Sequence, residues 1–353
     1  MALIIATRPW SLPASLVPSL LAVAMVSDRI TSYSNAAAAI IIVVSMHLAS
    51  NLANTYWDYR KGTDTAATAD DRALVDGTVS PNAVLGAAIA LYALAGAVGA
   101  AYAAPIGSPV LVLGLIGGAL GYCYTAGPVA LKYVGMGDVT IFLEFGPLLM
   151  AGVAAVATQS PASMLDVPTA LASFPIGLVT AAIVHANNAR DVKADAAAGG
   201  VTLAMVLGTA WSVALYRAYL TLAFVTAGIA HLAAAASAVH MTPLQAVAVA
   251  QTWCSTLAVS GITTSGSKAP PPGVDAVLHA TVATLLLFAL TGPTAATLMS
   301  RFSRGELSEL PQATAQFAAA FGVAFLVGLA PLRLAFRVIY ALSVLFGTGE
   351  WDL

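Results

Sequence analysis

Apolar runs of about 20 residues, the length that carries a helix across the hydrocarbon of a bilayer, recur along this chain from end to end. Such runs read as membrane-spanning helices, and the composition agrees. Of 353 residues, 59% are hydrophobic and 8% are charged, where a soluble domain carries about 25% charge. The fold class is therefore all-α, a multi-pass integral membrane protein in a lipid bilayer. A net charge of −2 argues against nucleic acid or any other polyanion as a partner. Cys123 and Cys254 both lie in apolar surroundings and read as inert thiols.

The pattern places helices near 12–27, 36–57, 82–103, 109–124, 139–157, 169–189, 203–235, 276–300 and 314–330, about nine in one domain over 1–353. Prolines 105, 109, 128, 161, 168 and 311 fall at or near the junctions. Segments such as GAAIALYALAGAVGAAYAA (86–104) are rich in small residues, which lets helices approach closely in lipid. Under this count Arg60, Lys61, Arg72, Lys132, Arg190, Lys193, Arg301 and Arg304 share one face, which the positive-inside rule makes cytoplasmic. The segment 242–272 is nearly long enough to span. Spanning would put Arg301 and Arg304 outside and only Lys268 inside, so it reads as a non-spanning insertion, re-entrant or interfacial. Residues 331–353, with Arg333 and Arg337 on an apolar background, read as an interfacial helix or a continuation of the last span. No cleavable leader is evident before RPWSLPASLVPSLLA (8–22), whose RPW suits an interface anchor.

Charge is concentrated in two places. Residues 58–76 hold eight charged side chains and 190–195 hold four, in a chain with 14 Lys+Arg and 16 Asp+Glu. Each cluster follows an apolar run. On a helix Asn51, Asn54 and Asp58 line one stripe, and Asn187, Asp191 and Asp195 line another. Asp64, beyond the helix-breaking Gly62, can fold back towards Asp58. Four carboxylates facing one another repel unless a divalent cation lies between them, and an oxygen-only ligand set suits Mg2+ shared with substrate phosphates. The clusters thus read as two halves of a Mg2+–diphosphate site, with Arg60, Lys61, Lys132 or Arg190 available to phosphate oxygens. Solvated loop charges capping helix ends would leave the paired amides unexplained. Glu144, six residues into the fifth span, is expected to face a cavity or a polar partner. His47 and His185 are expected to be packed and hydrogen bonded.

Asn54-x-x-x-Asp58 with Asp64, and Asp191-x-x-x-Asp195, resemble the two aspartate-rich motifs of the UbiA superfamily of intramembrane prenyltransferases. NLANTYWDYRKGTD (51–64), DDRALVD (70–76), YTAGPVALKYVGMGD (124–138) and NNARDVKADAAAGGVTLAMVLG (187–208) look like its menaquinone branch. Thr55 and Val201, together with RPWSLPASLVPSLLA and ELPQATAQ (309–316), look like the animal type within that branch. The resemblance covers roughly residues 8–330 outside 242–272. It implies a nine-helix bundle with a central cavity, a polar cap at the cytoplasmic mouth and a lateral opening to lipid. It implies Mg2+ held by Asp58, Asp64, Asp191 and Asp195, with Asn54 beside them in the catalytic set. Substrate binding is then expected from Asn51, Arg60, Lys61, Asp70, Asp71, Arg72, Tyr124, Lys132, Asn187, Asn188 and Arg190. The implied reaction moves a prenyl chain from a polyprenyl diphosphate donor to an aromatic quinol acceptor of the naphthoquinol type, in menaquinone biosynthesis. The membrane is an endomembrane (ER or Golgi) in a eukaryote and the plasma membrane in a bacterium.

Two alternatives stay open. One is the same chemistry on 4-hydroxybenzoate or homogentisate. The other is an ion-coupled transporter, whose acids would sit at mid-span near broken helices.

Overall fold

A computed structural model describes residues 2–66, 69, 71–127, 129–238, 240–260 and 272–329. The fold is a bundle of helices: α1 (Ala2–Ala6), α2 (Pro13–Met25), α3 (Tyr33–Lys61), α4 (Pro81–Tyr102), α5 (Ser108–Cys123), α6 (Gly137–Leu143), α7 (Leu149–Thr158), α8 (Val167–Arg190), α9 (Val192–Ala197), α10 (Leu203–Ala238), α11 (Pro243–Ser260), α12 (Pro272–Ser303) and α13 (Leu310–Leu329). A π-helical turn, Glu144–Leu148, joins α6 to α7 into one continuous rod. Among the described residues, seven helical segments are long and apolar enough to span a membrane. Two more, α2 and α5, fall where spans were expected but are shorter apolar helices. Helix α11 fills most of the expected insertion; residues 261–271 and the expected tail, 331–353, lie outside the described residues.

Local signals set the boundaries. Ser80 caps α4, accepting the Ala83 N–H ahead of Pro81, and Asp166 caps α8, accepting the Thr169 N–H ahead of Pro168. Helix α3 stops at Gly62, whose φ of 77° is the left-handed conformation that ends helices. Helix α10 packs along α8 and α12, α3 along α4, and α13 closes on α2 and α8. Aromatic rings fill the space among α10, α12 and α13: Tyr216 stacks on Phe302 with centroids 4.5 Å apart, and Phe224 meets Phe321 edge-on at 5.3 Å.

Small residues decide how closely two of these rods approach. A methyl group added at Gly146 would lie 2.8 Å from the Ser173 carbonyl oxygen, and one at Gly177 would lie 2.7 Å from that of Phe142. The α6–α7 rod therefore meets α8 backbone to backbone, the contact that packing in lipid rewards.

Candidate functional site: a polar cap over an apolar cavity

The first charge cluster rides on the last turns of α3. Ser50, Asn54 and Asp58 recur at i, i+4 and i+8, so they form one stripe. Beyond Gly62, the N–H groups of Thr63 and Asp64 both bond back to the Asp58 carbonyl, at 3.0 and 3.3 Å. Asp64 is thereby held in the turn directly above Asp58. The second cluster straddles the end of α8 and the short α9. Asn187, Asn188 and Arg190 lie on the last turn of α8, Asp191 at the junction and Asp195 in α9.

The loop after α5 joins the two. The Thr125 hydroxyl donates to Asn54 Oδ1 at 2.9 Å, and the Tyr133 hydroxyl donates to Asp58 Oδ1 at 2.9 Å. Next along the chain, Lys132 Nζ lies 3.3 Å from Asp195 Oδ1. The Lys61 ammonium donates to the Thr125 carbonyl. Both ammonium groups flank the Tyr133 ring, at 5.1 Å for Lys61 and 4.8 Å for Lys132. The loop is pinned from behind as well, because the Val201 N–H donates to the Tyr133 carbonyl at 3.1 Å. Gly200 makes that approach possible, since a side chain there would collide with the Tyr133 ring.

Two buried carboxylates, Asp58 and Asp195, thus flank one half-buried ammonium. Burial raises the Asp195 carboxyl above its usual range, and Lys132 only partly opposes this. Burial depresses the Lys132 ammonium, but the Asp58 and Asp195 carboxylates outweigh it and leave the group above its usual value. Burial, reinforced by Asp58, pushes the Tyr133 hydroxyl up, so it stays a donor. Among the described residues the two buried carboxylate oxygens of Asp195 have no hydrogen-bond partner of good geometry beyond the Lys132 ammonium facing Oδ1. That leaves acceptor capacity which a hard cation would satisfy. Among the described residues no three His, Cys, Asp or Glu side chains converge as a self-sufficient metal cage. The donor set therefore fits Mg2+ in its usual mode, one or two carboxylates completed by water and substrate phosphate.

Most of the other expected site residues have partners of their own, some beside the cap and some away from it. The Asn51 amide donates to the Thr7 carbonyl (2.9 Å) and Ser11 Oγ (3.0 Å), fastening the N-terminal segment to α3. Asp71 Oδ2 accepts from the Thr55 hydroxyl at 2.8 Å and faces Arg8 Nε at 3.3 Å. Arg72 is exposed and pairs with Asp76 at 2.7 Å. Arg60 is exposed and Asn187 half-buried. Arg190 and Asp191 pair with each other at 2.6 Å, both partly exposed beside the cap. Asn188 donates to Asp138 Oδ1 at 3.2 Å. Tyr124 is half-buried, and its carbonyl accepts the Lys132 N–H at 2.8 Å. Asp70 lies outside the described residues.

Sequence reading passed over Tyr133 and Asp138. Asp138 is fully buried and binds three groups: His185 Nδ1 at 2.7 Å, Asn188, and the Tyr219 hydroxyl at 3.2 Å. It ties α6 to α8 and α10 directly beneath the second cluster. The available signal was an acid at the head of an apolar run, which demands a partner. Which of five histidines would supply it is a tertiary fact. His47 bonds to Ser15 Oγ at 2.8 Å and Ser11 Oγ at 3.2 Å.

A cavity of about 730 Å³, almost wholly apolar, opens among α3, α4, α5 and the α6–α7 rod. Ser50 lines it, and Asn54 and Asp58 follow on the same stripe of α3, about 6 and 12 Å further along the axis. A polar cap at one end of a long apolar chamber suits a ligand with a charged head and a hydrocarbon tail.

The UbiA prenyltransferase family matches residues 15–270 of the chain. The human UbiA prenyltransferase domain-containing protein 1 is 37% identical over 226 residues, 63% of this chain and 65% of that protein. The chain thus spans just under two thirds of that relative's length. A solved structure of a UbiA homolog from Aeropyrum pernix K1, in its apo form, superposes with a TM-score of 0.56 at 20% identity, covering 90% of this chain and 96% of its own. A UbiA homolog from Archaeoglobus fulgidus, bound to GPP and Mg2+, gives 0.51 at 14% identity, covering 92% and 99%. At those identities the likeness is one of fold. The family match covers most of the sequence, and the chain belongs to the UbiA prenyltransferase family.

Proposed function

We propose that the protein is a Mg2+-dependent prenyltransferase that moves the chain of a polyprenyl diphosphate, such as geranylgeranyl diphosphate, to a naphthoquinol-type acceptor in menaquinone biosynthesis. The observation that carries it is the convergence of Asp58 and Asp195, from two distant clusters, on Lys132 and Tyr133 above the apolar cavity. The Archaeoglobus homolog's GPP and Mg2+ support the donor and the metal by analogy. The wording of residues 51–64 and 187–195 supports the acceptor class.

Asp58 and Asp195, with Asp64 and Asp191 beside them, would hold Mg2+, which when bound supplies Lewis-acid stabilisation of the leaving diphosphate. Lys132 supplies fixed positive charge where the diphosphate lands, without reorganising during reaction. Tyr133 fixes the Asp58 carboxylate, and Thr125 fixes Asn54. Arg190 and Lys61 lie near enough to the cap to add phosphate contacts. The chamber below takes the prenyl chain and keeps water from the allylic carbon as its bond to oxygen breaks, so the acceptor ring is the nucleophile at hand. By the positive-inside asymmetry the cap faces the cytoplasm.

The test is an assay of the protein in lipid nanodiscs with Mg2+, geranylgeranyl diphosphate and a panel of menadiol, dihydroxynaphthoate, 4-hydroxybenzoate and homogentisate. Prenylated naphthoquinol, lost on adding EDTA and in Asp191→Ala, is the expected result. Product only from the benzoate or homogentisate would overturn the acceptor class. No product with folded protein, together with no Mg2+-dependent diphosphate binding, would overturn the enzyme.

A further inference from the structure

The cavity wall is apolar except at a few points, and most of those are internally satisfied. His47 is bonded to Ser15, and Ser50 Oγ lies 2.9 Å from the Tyr92 hydroxyl. Glu144 is different. Its carboxyl lines the cavity and makes no hydrogen bond to any described residue. A carboxyl held in an apolar chamber at membrane depth is costly unless something in that chamber bonds to it. The cost is incurred at a built feature. Glu144 opens the π-helical turn Glu144–Leu148, and π turns inside α-helical rods recur at functional sites. Pro147 within it has no N–H to give to a regular helix. Beside it, Gly121 on α5 leaves room: a methyl group there would lie 3.2 Å from Glu144 Oε1 and would run into Ser50 Oγ. The carboxyl and the Ser50–Tyr92 pair therefore border one small polar patch. Ser50 stands one helical turn below Asn54 and two below Asp58, about 12 Å along the axis.

We propose, resting on the prenyltransferase reading, that this patch holds a hydroxyl of the aromatic acceptor, with Glu144 as its hydrogen-bond partner and the residue that selects a hydroxylated ring over a purely apolar one. The acceptor then lies in the chamber between the Glu144 patch and the diphosphate cap, with its hydroxyl pointing away from the cap. Glu144 acts in positioning and selection.

Binding can be read without turnover. Nanodisc-embedded protein, free of donor and Mg2+, would be titrated under reducing conditions with 1,4-dihydroxynaphthalene, its dimethyl ether and 1-dodecanol. Wild type is expected to favour the diol over the ether by about tenfold. Glu144→Gln should keep most of that preference and Glu144→Leu should erase it, with no loss of melting temperature. In turnover, Glu144→Leu should raise the acceptor KM about tenfold and leave the donor KM alone. A preference that survives in Glu144→Leu overturns the proposal, as does equal weakening towards diol and ether. Glu144-dependent binding of dodecanol but not of the diol assigns the patch to a lipid alcohol and overturns the acceptor assignment. If the diol preference depends on Glu144 but no acceptor is prenylated, the hydroxyl site stands and the prenyltransfer reading falls.

Discussion

Lys132 is the cation on which the cap depends, because Asp58 and Asp195 are buried and face it together. Removing one partner of a buried ionic group leaves charge uncompensated, at a cost of about 3 kcal/mol. Lys132→Met should therefore lower the melting temperature of the metal-free protein. Mg2+ should restore more stability to this variant than to wild type, since the cation takes over part of the ammonium's task; equal restoration would show that Lys132 and the metal do not share the site. Because the Lys132 ammonium is held above its ordinary value of 10.5, its stabilisation is complete below that pH and fades only as pH rises through the higher folded value. The comparison thus holds across the neutral range. Tyr133 contributes less. Tyr133→Phe removes one hydrogen bond to Asp58 and should cost about 1–2 kcal/mol.

At the scale of elements, the contact between the α6–α7 rod and α8 sets the shape of the chamber and the site of the Asp138 network. It rests on Gly146 and Gly177, where backbone faces backbone. Gly177→Ala would place its methyl group 2.7 Å from the Phe142 carbonyl oxygen, which cannot move without its helix. Destabilisation of about 1–3 kcal/mol is expected by thermal unfolding. Gly86→Ala in α4, where nothing lies within 4 Å, should be neutral or mildly stabilising. Similar losses in both variants would show that helix propensity, not the close approach, governs. Most helix boundaries were legible because they are local. Caps at Ser80 and Asp166 and the stop at Gly62 need only neighbouring residues. The π turn was not legible, because it depends on how the rod fits its neighbours.

Across the whole molecule, charge and connectivity agree on one polar end. The cap residues of α3, of the loop between α5 and α6, and of α9 meet there through Asp58–Tyr133 and Lys132–Asp195. Arg29 and Asp166 pair at 2.7 Å across different loops at the other end. In a background without Cys123 and Cys254, Arg304→Cys should react with an impermeant thiol reagent from the cytoplasmic side of sealed vesicles. Arg29→Cys should react only from the opposite side. Labelling with the reverse sidedness would invert the topology, and with it the side from which the diphosphate arrives.

By itself the sequence determined the material and the rhythm of this protein: apolar lengths that must be helices in lipid, junctions marked by proline, glycine and serine, and two charge clusters at helix ends. Those are local properties, set by period and by the cost of polar groups in hydrocarbon. Tertiary structure alone decided which charges face each other. Asp58 and Asp195 stand 137 positions apart and meet through Tyr133 and Lys132, whereas Asn51 and Asp71, drawn from the same first cluster, turn aside to fasten the N-terminal segment. A helix stripe says which side chains can share a face. What that face meets depends on where packing brings the other helices.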